Sequence, residues 1–278
     1  GHYYARHDGE DATVALALEE QYLPRFAGDA IPTTKAGMAI ALADRLDTLT
    51  GIFGIGQRPT GAKDPFALRR ATIGVLNILI KGELDLDLRE LLTVSAKQHR
   101  DLPKAEGLVE DVLEYMLDRF RAWASDEGMG AELYLAVRTL KISNPLDFAR
   151  RLRAVHAFGE RPEAAALAAA NKRVSNILAK AEHDGRTEVD ASLLSEPAEQ
   201  ALAEALTARG AEVAPLFAAA RYQEALDALA SLREPVDAFF DQVMVNADDA
   251  AVRANRLAML ASLQGLFMGV ADISLLTQ

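Results

Sequence analysis

The sequence has no cysteine, one tryptophan and few aromatic residues of any kind (6%). The absence of cysteine excludes disulfides and thiolate-rich zinc sites. No apolar run reaches the roughly 18 residues that a membrane span needs. Half of the residues are nevertheless hydrophobic, so we expect a soluble protein with a substantial core and no membrane segment. The lack of cysteine suits the cytoplasm without requiring it.

Basic residues are fewer than acidic ones: the sequence has 30 lysines and arginines and 41 aspartates and glutamates, and its net charge is −11. An acidic total argues against nonspecific binding of nucleic acid. It does not exclude a local basic face, because physiological salt screens charges beyond about 8–10 Å. The distribution of the basic residues is therefore more informative than their sum.

The 278 residues favour two domains. Alanine, leucine, arginine and glutamate are abundant, and all four favour helices. No convincing alternation of β-branched residues is present, so the pattern predicts an all-α protein. The pattern changes in character near residues 145–160, where we expect the boundary of a C-terminal helical bundle.

Helix ends can be predicted in the first half of the chain. Thr33 or Thr34 is expected to cap a helix that ends at a loop rich in glycine and proline (Gly51, Gly54, Gly56, Pro59, Gly61). Asp64 is expected to cap the next helix, with Pro65 at its first position, and Gly82 to end it.

In the second half, Pro215 and Pro235 are expected to separate three helices. Asp248 or Asp249 is expected to cap the last helix. The buried face of that helix is expected to include Val252, Leu260, Leu263, Phe267 and Val270.

An adjacent His–Asp pair, His7-Asp8, resembles the metal site of the HD phosphohydrolase superfamily. Imidazole and carboxylate suit divalent ions, and Asp44 would complete the ligand set on that pattern. The earlier histidine of the superfamily is missing from this sequence. The alternative is a degenerate HD fold, in which His7-Asp8 caps a helix and no metal is bound.

The segment "GIFGIGQRPTGAKDP" has the glycines of a phosphate-binding loop, but it lacks the GK[ST] ending and no strand precedes it. We interpret it as a rigid turn or a loop that touches an RNA backbone.

The stretch "AAANKRVSNILAK" concentrates basic and amide side chains on one predicted helix. Lys172, Asn176 and Lys180 follow each other at intervals of four and share a face, with Arg173 about 100° away. Ammonium, guanidinium and amide groups bind phosphates and unstacked base edges well. An ordinary solvated helix face is the alternative interpretation.

Four segments, in order along the chain, together resemble the β subunit of bacterial glycyl-tRNA synthetase. They are "FGIGQRPTGAKDPFALRRA", "ALAAANKRVSNILAK", "RYQEALDALASLREPVDAFFDQVMV" and "RLAMLASLQGLFMGVADISLL". The resemblance spans most of the chain, and the combined match is highly specific. The family's β subunit is much longer, so the chain resembles its C-terminal portion, beginning inside an HD-like domain and reaching the family's C-terminus.

This resemblance implies an HD-like helical domain fragment followed by a DALR-like anticodon-binding helical bundle. It implies an α subunit in a separate chain, which binds glycine, ATP and Mg and makes the adenylate, within a cytoplasmic assembly of two α and two β subunits. The β subunit mainly binds tRNA, and its HD-like domain is not a working phosphohydrolase. No cofactor and no metal are expected in this chain, with His7, Asp8 and Asp44 as vestigial candidates.

We therefore predict an HD-like domain over 1–92, connecting helices over 93–155 and an anticodon-binding bundle over 156–278. The expected function is recognition of the anticodon arm of tRNA-Gly, with no catalysis by this portion alone. The alternatives are a metal-dependent HD phosphohydrolase and a helical module that docks the α subunit without touching RNA. The candidate tRNA-binding residues are Lys172, Arg173, Asn176, Lys180, Arg253, Arg256, Lys63, Arg69 and Arg70.

Overall fold

The computed structural model describes residues 1–26, 28–60, 63–181, 183 and 185–276. Within these ranges the chain forms thirteen α-helices, three short 3₁₀ turns and no β-strand, which confirms the all-α prediction. The helices are α1 (His2–His7), α2 (Ala12–Glu20), α3 (Lys35–Gly54), α4 (Leu68–Lys81), α5 (Leu88–Ala96), α6 (Leu108–Asp126), α7 (Ala131–Arg138), α8 (Pro145–Gly159), α9 (Ala164–Lys180), α10 (Pro197–Ala218), α11 (Tyr222–Leu229), α12 (Arg233–Gln242) and α13 (Ala250–Met268).

The helices form two compact units. The first comprises Gly1–Gly128 with Ile142–Ala149, and the second comprises Met129–Lys141 with Arg150–Gln278. Helices α1 to α6 therefore belong to the first unit, and α7 and α9 to α13 to the second. Helix α8 begins in the first unit and ends in the second. The three predicted domains, 1–92, 93–155 and 156–278, stay a prediction.

Helix α3 is the centre of the first unit, where it packs against α2, α4, α5 and α6. Its apolar residues, such as Leu46, Leu49 and Phe53, are buried at helical spacing. Most of α4 is enclosed, because every residue of 74–80 is buried. In α6, Trp123 stacks on Phe120 with ring centroids 4.9 Å apart.

The structure confirms several predicted helix ends in the first unit and corrects others. Thr34 caps α3 by accepting from the Gly37 N–H at 3.0 Å, and Gly82 ends α4. Helix α3 continues through Gly51 to Gly54, so the predicted loop starts too early; its Gly61 lies outside the described residues. The last turn of α3 is stabilised because Phe53 and Gly54 are buried in the core of the first unit.

The predicted start of α4 is also corrected. The Asp64 carboxylate accepts from the backbone N–H groups of Leu68 and Arg69, yet the helix begins only at Leu68. Ala67, between Asp64 and the helix, has a φ of 55° and therefore a left-handed backbone conformation that cannot belong to the helix. Pro65 therefore lies in a turn before the helix and does not occupy its first position.

Helix α13 is the centre of the second unit and packs against α9, α10 and α11. Asp249 caps it, as predicted, by accepting from Ala251 and Val252 N–H. Four residues of its predicted buried face are enclosed (Leu260, Leu263, Phe267, Val270), whereas Val252 is half-buried. The last 3₁₀ turn, Ile273–Leu276, packs against α7 and α9.

Pro215 does not separate two helices, contrary to the prediction. It lies inside α10, which continues to Ala218. A proline inside a helix removes one backbone hydrogen bond and crowds the carbonyl of residue i−4, and α10 ends three residues beyond it. The break comes instead at Ala220, which adopts a positive φ of 53° before α11 begins. Pro235 likewise lies within the first turn of α12.

None of the helices in the described ranges combines the length and the apolarity that crossing a lipid bilayer requires.

Candidate nucleic-acid interface

Helix α9 presents the predicted polar stripe to solvent. Lys172, Arg173, Asn176 and Lys180 are all exposed, and we call them the α9 face. The opposite side is apolar, with Leu167, Ala168 and Val174 buried. The alternation follows from the helical repeat, which puts the apolar positions on one side and the polar ones on the other.

The inner side of α9 is fixed by polar contacts as well as by packing. The Asn171 side chain is buried and donates to the Leu167 carbonyl oxygen at 3.0 Å. Gln264 of α13 donates to the Ser175 hydroxyl at 2.7 Å. The contact between Gln264 and Ser175 ties α9 to α13, so the α9 face has a defined position within the second unit.

Arg173 is oriented by an aromatic ring from α12. Its guanidinium carbon lies 4.2 Å from the centroid of the Phe240 ring. An arginine stacked on a ring loses less rotamer entropy when it binds, because part of its freedom is already restricted. The exposed guanidinium of Arg173 is therefore arranged for stacking on a base or for a fork of hydrogen bonds.

The two arginines of α13 have structural partners. Arg256 is buried, pairs with Glu199 of α10 and donates to the Met244 carbonyl oxygen at 2.6 Å. Arg253 is half-buried and donates to the Ala247 carbonyl oxygen at 2.7 Å. Arg256 is therefore enclosed in the bundle and does not lie on the exposed surface where the sequence analysis placed it.

Glu199 organises the start of α10 as well as binding Arg256. Its carboxylate accepts from the backbone N–H groups of Ser195 and Glu196 at 3.0 and 2.9 Å. Burial alone would raise the pKa of Glu199, but the hydrogen bonds from Arg256 and the backbone outweigh it and hold the pKa below its ordinary value. The carboxylate is therefore charged when the protein is folded at neutral pH.

The remaining predicted cations lie in the first unit. Lys63 and Arg70 are exposed, and Arg69 is half-buried. Arg69 and Arg70 start α4 and line a cavity of about 160 Å³ beside Arg25 and Phe26. Lys63 does not line this cavity.

A second cavity, of about 470 Å³, adjoins the first and shares Pro24, Arg25 and Arg70 with it. We call the two together the arginine–aromatic cleft. Its rings come from Tyr22, Phe26 and Phe66, all exposed in spite of their size. Sequence reasoning missed Arg25 and the three rings. The signal that could have found them is the Arg25-Phe26 pair, which follows Pro24 outside any predicted helix.

The vestigial HD candidates do not form a ligand set. His7 is the last residue of α1 and Asp8 follows it, both exposed. Asp44 is exposed on α3. No three histidine, aspartate or glutamate side chains come together as a metal site anywhere in the described ranges.

Comparisons with known proteins agree with this architecture. Residues 1–139 match the family model described as glycyl-tRNA synthetase beta subunit, and residues 167–270 match the model described as DALR anticodon binding domain. The second match begins on α9, three residues after the start of that helix.

Similar proteins named glycine–tRNA ligase beta subunit come from several bacteria. The chain is 70% identical over 278 residues to that of Chromohalobacter salexigens, 60% over 276 to that of Pseudomonas aeruginosa and 58% over 276 to that of Aeromonas salmonicida. These alignments cover 100%, 99% and 99% of this chain and 40% of each relative, so the chain spans less than half of their length. Because the family model matches half of the chain, the chain belongs to the glycyl-tRNA synthetase β subunit family.

Proposed function

We propose that this chain binds the anticodon arm of tRNA-Gly as part of the β subunit of glycine–tRNA ligase. The observation that carries the proposal is the match of residues 167–270 to an anticodon-binding domain, which begins on the helix that bears the α9 face. A cationic and amide-bearing helix face suits the unpaired bases and phosphates of an RNA loop.

Each residue of the α9 face is assigned a role by its chemistry. Lys172 and Lys180 are point charges, and we assign them to phosphates. Asn176 offers both a donor and an acceptor, which suits a base edge. Arg173, already stacked on Phe240, is assigned to a base edge or a base face. Arg253, half-buried near the start of α13, is a secondary candidate.

The acidic total of the chain is compatible with this role. With a net charge of −11, the rest of the surface repels RNA that approaches in other orientations. Binding through a few cations on one face is expected to be modest and to weaken steeply with salt.

We further propose that catalysis takes place elsewhere in the assembly. The α subunit would bind glycine, ATP and Mg, and two α and two β subunits would act together in the cytoplasm. This chain would hold the anticodon arm and so orient the acceptor end. His7, Asp8 and Asp44 are exposed and do not come together as a metal site within the described residues, which favours this role over that of an HD phosphohydrolase.

The test is binding of the whole chain to an RNA stem-loop that carries the tRNA-Gly anticodon, measured by fluorescence anisotropy at about 50 and 200 mM salt. A stem-loop with altered anticodon bases should bind more weakly. Arg173→Ala should weaken binding by about tenfold, because it removes a charge-assisted contact. The matched control is Arg221→Ala, another exposed arginine of the second unit, paired with Glu224 on α11.

The control should change binding by less than about twofold, because Arg221 lies outside the α9 face and its charge is already paired with Glu224. Equal losses in the two variants, or equal binding of both stem-loops, would contradict anticodon recognition by the α9 face. No binding of RNA but co-elution with purified α subunit would favour the alternative of a protein-docking module.

A further inference from the structure

The arginine–aromatic cleft of the first unit is a concave site, unlike the exposed α9 face. Arginines line its cavities, and large exposed rings lie beside them. Its smaller cavity is lined by Arg25, Arg69 and Arg70 and, among the described residues, by no acid. Its larger cavity adds Tyr22 and Phe66 and one carboxylate, Asp44. Arg25 is paired with Asp29 at 2.9 Å, so the exposed Arg70 is the cation of this cavity that the proposal uses.

The positive potential of the cleft has a buried component. The Arg45 guanidinium lines the larger cavity and donates to four backbone carbonyl oxygens, those of Gln21, Tyr22, Pro24 and Ala41, at 2.9–3.3 Å. Burial lowers the pKa of Arg45, and the charge of Asp44 partly offsets this. Arg45 thus holds the segment after α2 in place. Because its hydrogen-bond partners are neutral carbonyl groups, the positive charge of Arg45 favours an anion nearby.

Hydrogen bonds hold the backbone near Phe66 and the Arg25 side chain beside Phe26. Phe66 lies in the turn that Asp64 fixes through its hydrogen bonds to Leu68 and Arg69. Phe26 has the Arg25 guanidinium 6.0 Å from its centroid, and Arg25 is held in turn by Asp29 at 2.9 Å. Exposed rings offer stacking surfaces to a base.

We propose that the arginine–aromatic cleft binds a nucleoside monophosphate unit, with the phosphate against Arg70 in the smaller cavity. The base lies in the larger cavity, against the Phe66 ring. The position of Asp44 sets this orientation, because a carboxylate repels a phosphate but accepts from the exocyclic amino group of a base. A volume of about 470 Å³ suits a base with its ribose.

This chemistry has two possible sources. One is an unpaired nucleotide of tRNA, and in that case the inference rests on the proposed function and adds a second contact to it. The other is a free nucleotide, which would bind whether or not the α9 face recognises RNA. The recognised groups, a phosphate and a base with an amino group, are the same for both.

The test measures binding of CMP, UMP and inorganic phosphate to the whole chain by ligand-observed NMR. CMP should bind better than UMP by about threefold or more, since only cytosine offers an amino group to Asp44. Inorganic phosphate should compete only weakly, because it lacks a base to stack. Phosphate that competes as well as CMP would overturn the proposal, and so would equal binding of CMP and UMP.

Variants locate the site. Arg70→Gln should weaken CMP binding by about tenfold through loss of a charge-assisted contact, and Arg89→Gln is its matched control. Arg89 is an exposed arginine of the same unit that pairs with Glu110 on α6. Phe66→Leu should weaken CMP binding by about tenfold through loss of stacking, with Tyr4→Leu, an exposed ring on α1, as control. Losses of the same size in test and control variants would overturn the proposal.

Asp44→Ala should equalise CMP and UMP while CMP still binds; an unchanged preference would refute the assignment of Asp44. A single-stranded trinucleotide that binds much more tightly than CMP, and loses that advantage in Arg70→Gln, identifies RNA as the source, whereas equal affinity identifies a free nucleotide. Lys172→Ala, in the other unit, should leave CMP binding unchanged. Failure of the stem-loop test and failure of this one are therefore distinguishable.

Discussion

Arg256 of α13 and Glu199 of α10 form an ion pair that is enclosed in the second unit, 57 residues apart in sequence. The pair ties the central helix of the bundle to the first turn of its neighbour, because Glu199 also accepts from the backbone at the start of α10. An arginine predicted from the sequence to bind RNA is thus part of the packed interior of the second unit.

Glu199→Ala should destabilise the second unit by about 3–5 kcal/mol, since it leaves the buried Arg256 cation without its partner. Hydrogen exchange should show faster exchange of amides in α10 and α13. The control is Glu224→Ala, which breaks the exposed Arg221–Glu224 pair and should have little effect. Similar exchange in the two variants would mean that the enclosed pair contributes no more than a surface one.

The stability of the second unit should fall in acid through the same carboxylate. The pKa of Glu199 is lower in the folded chain than its ordinary value, so its contribution is fully present above the unfolded pKa of about 4.3. It is lost as the pH falls through the lower folded pKa. Urea unfolding followed by circular dichroism between pH 7 and 3 should show this decline, and Glu199→Gln should flatten it. An equally steep decline in the glutamine variant would exclude Glu199 as a cause.

Glu20→Ala should destabilise the first unit by about 3 kcal/mol, because it removes the acceptor of four hydrogen bonds. The buried carboxylate accepts from the backbone and hydroxyl groups of Thr33 and Thr34, which lead into α3. Hydrogen exchange at the start of α3 is the measurement. Glu19→Ala, one residue earlier and exposed, is the control and should leave exchange in α3 unchanged.

Phe240→Leu should weaken binding of the anticodon stem-loop by about threefold without changing its salt dependence, since it removes the ring beneath Arg173 and no charge. Lys172→Ala should instead reduce the slope of log K against log salt by about one. Anisotropy titrations at several salt concentrations separate the two effects. A changed slope for Phe240→Leu would contradict an orienting role for the ring.

Local signals in the sequence predicted much of the fold. Capping depends on neighbours two or three residues away, so Thr34 and Asp249 could be identified from their own helices. The outward direction of Lys172, Asn176 and Lys180 followed from helical spacing alone. These features need no knowledge of what packs against the helix.

Contacts between distant residues could not be predicted in this way. The burial of Arg256 depends on Glu199, and the orientation of Arg173 depends on Phe240, 67 positions later along the chain. The arginine–aromatic cleft brings the segment after α2 against the start of α4. Its residues come from the segment after α2, from α3 and from around the start of α4, and only the packing around α3 unites them.

The stacking of Trp123 on Phe120 has a spectroscopic consequence. Trp123 is the one tryptophan in the sequence, and it is buried in α6 of the first unit. Its emission therefore reports the melting of the first unit without a dye. The second unit has no tryptophan and does not contribute to that emission. Comparing tryptophan emission with far-ultraviolet ellipticity during one thermal scan separates the two transitions in the unlabelled chain.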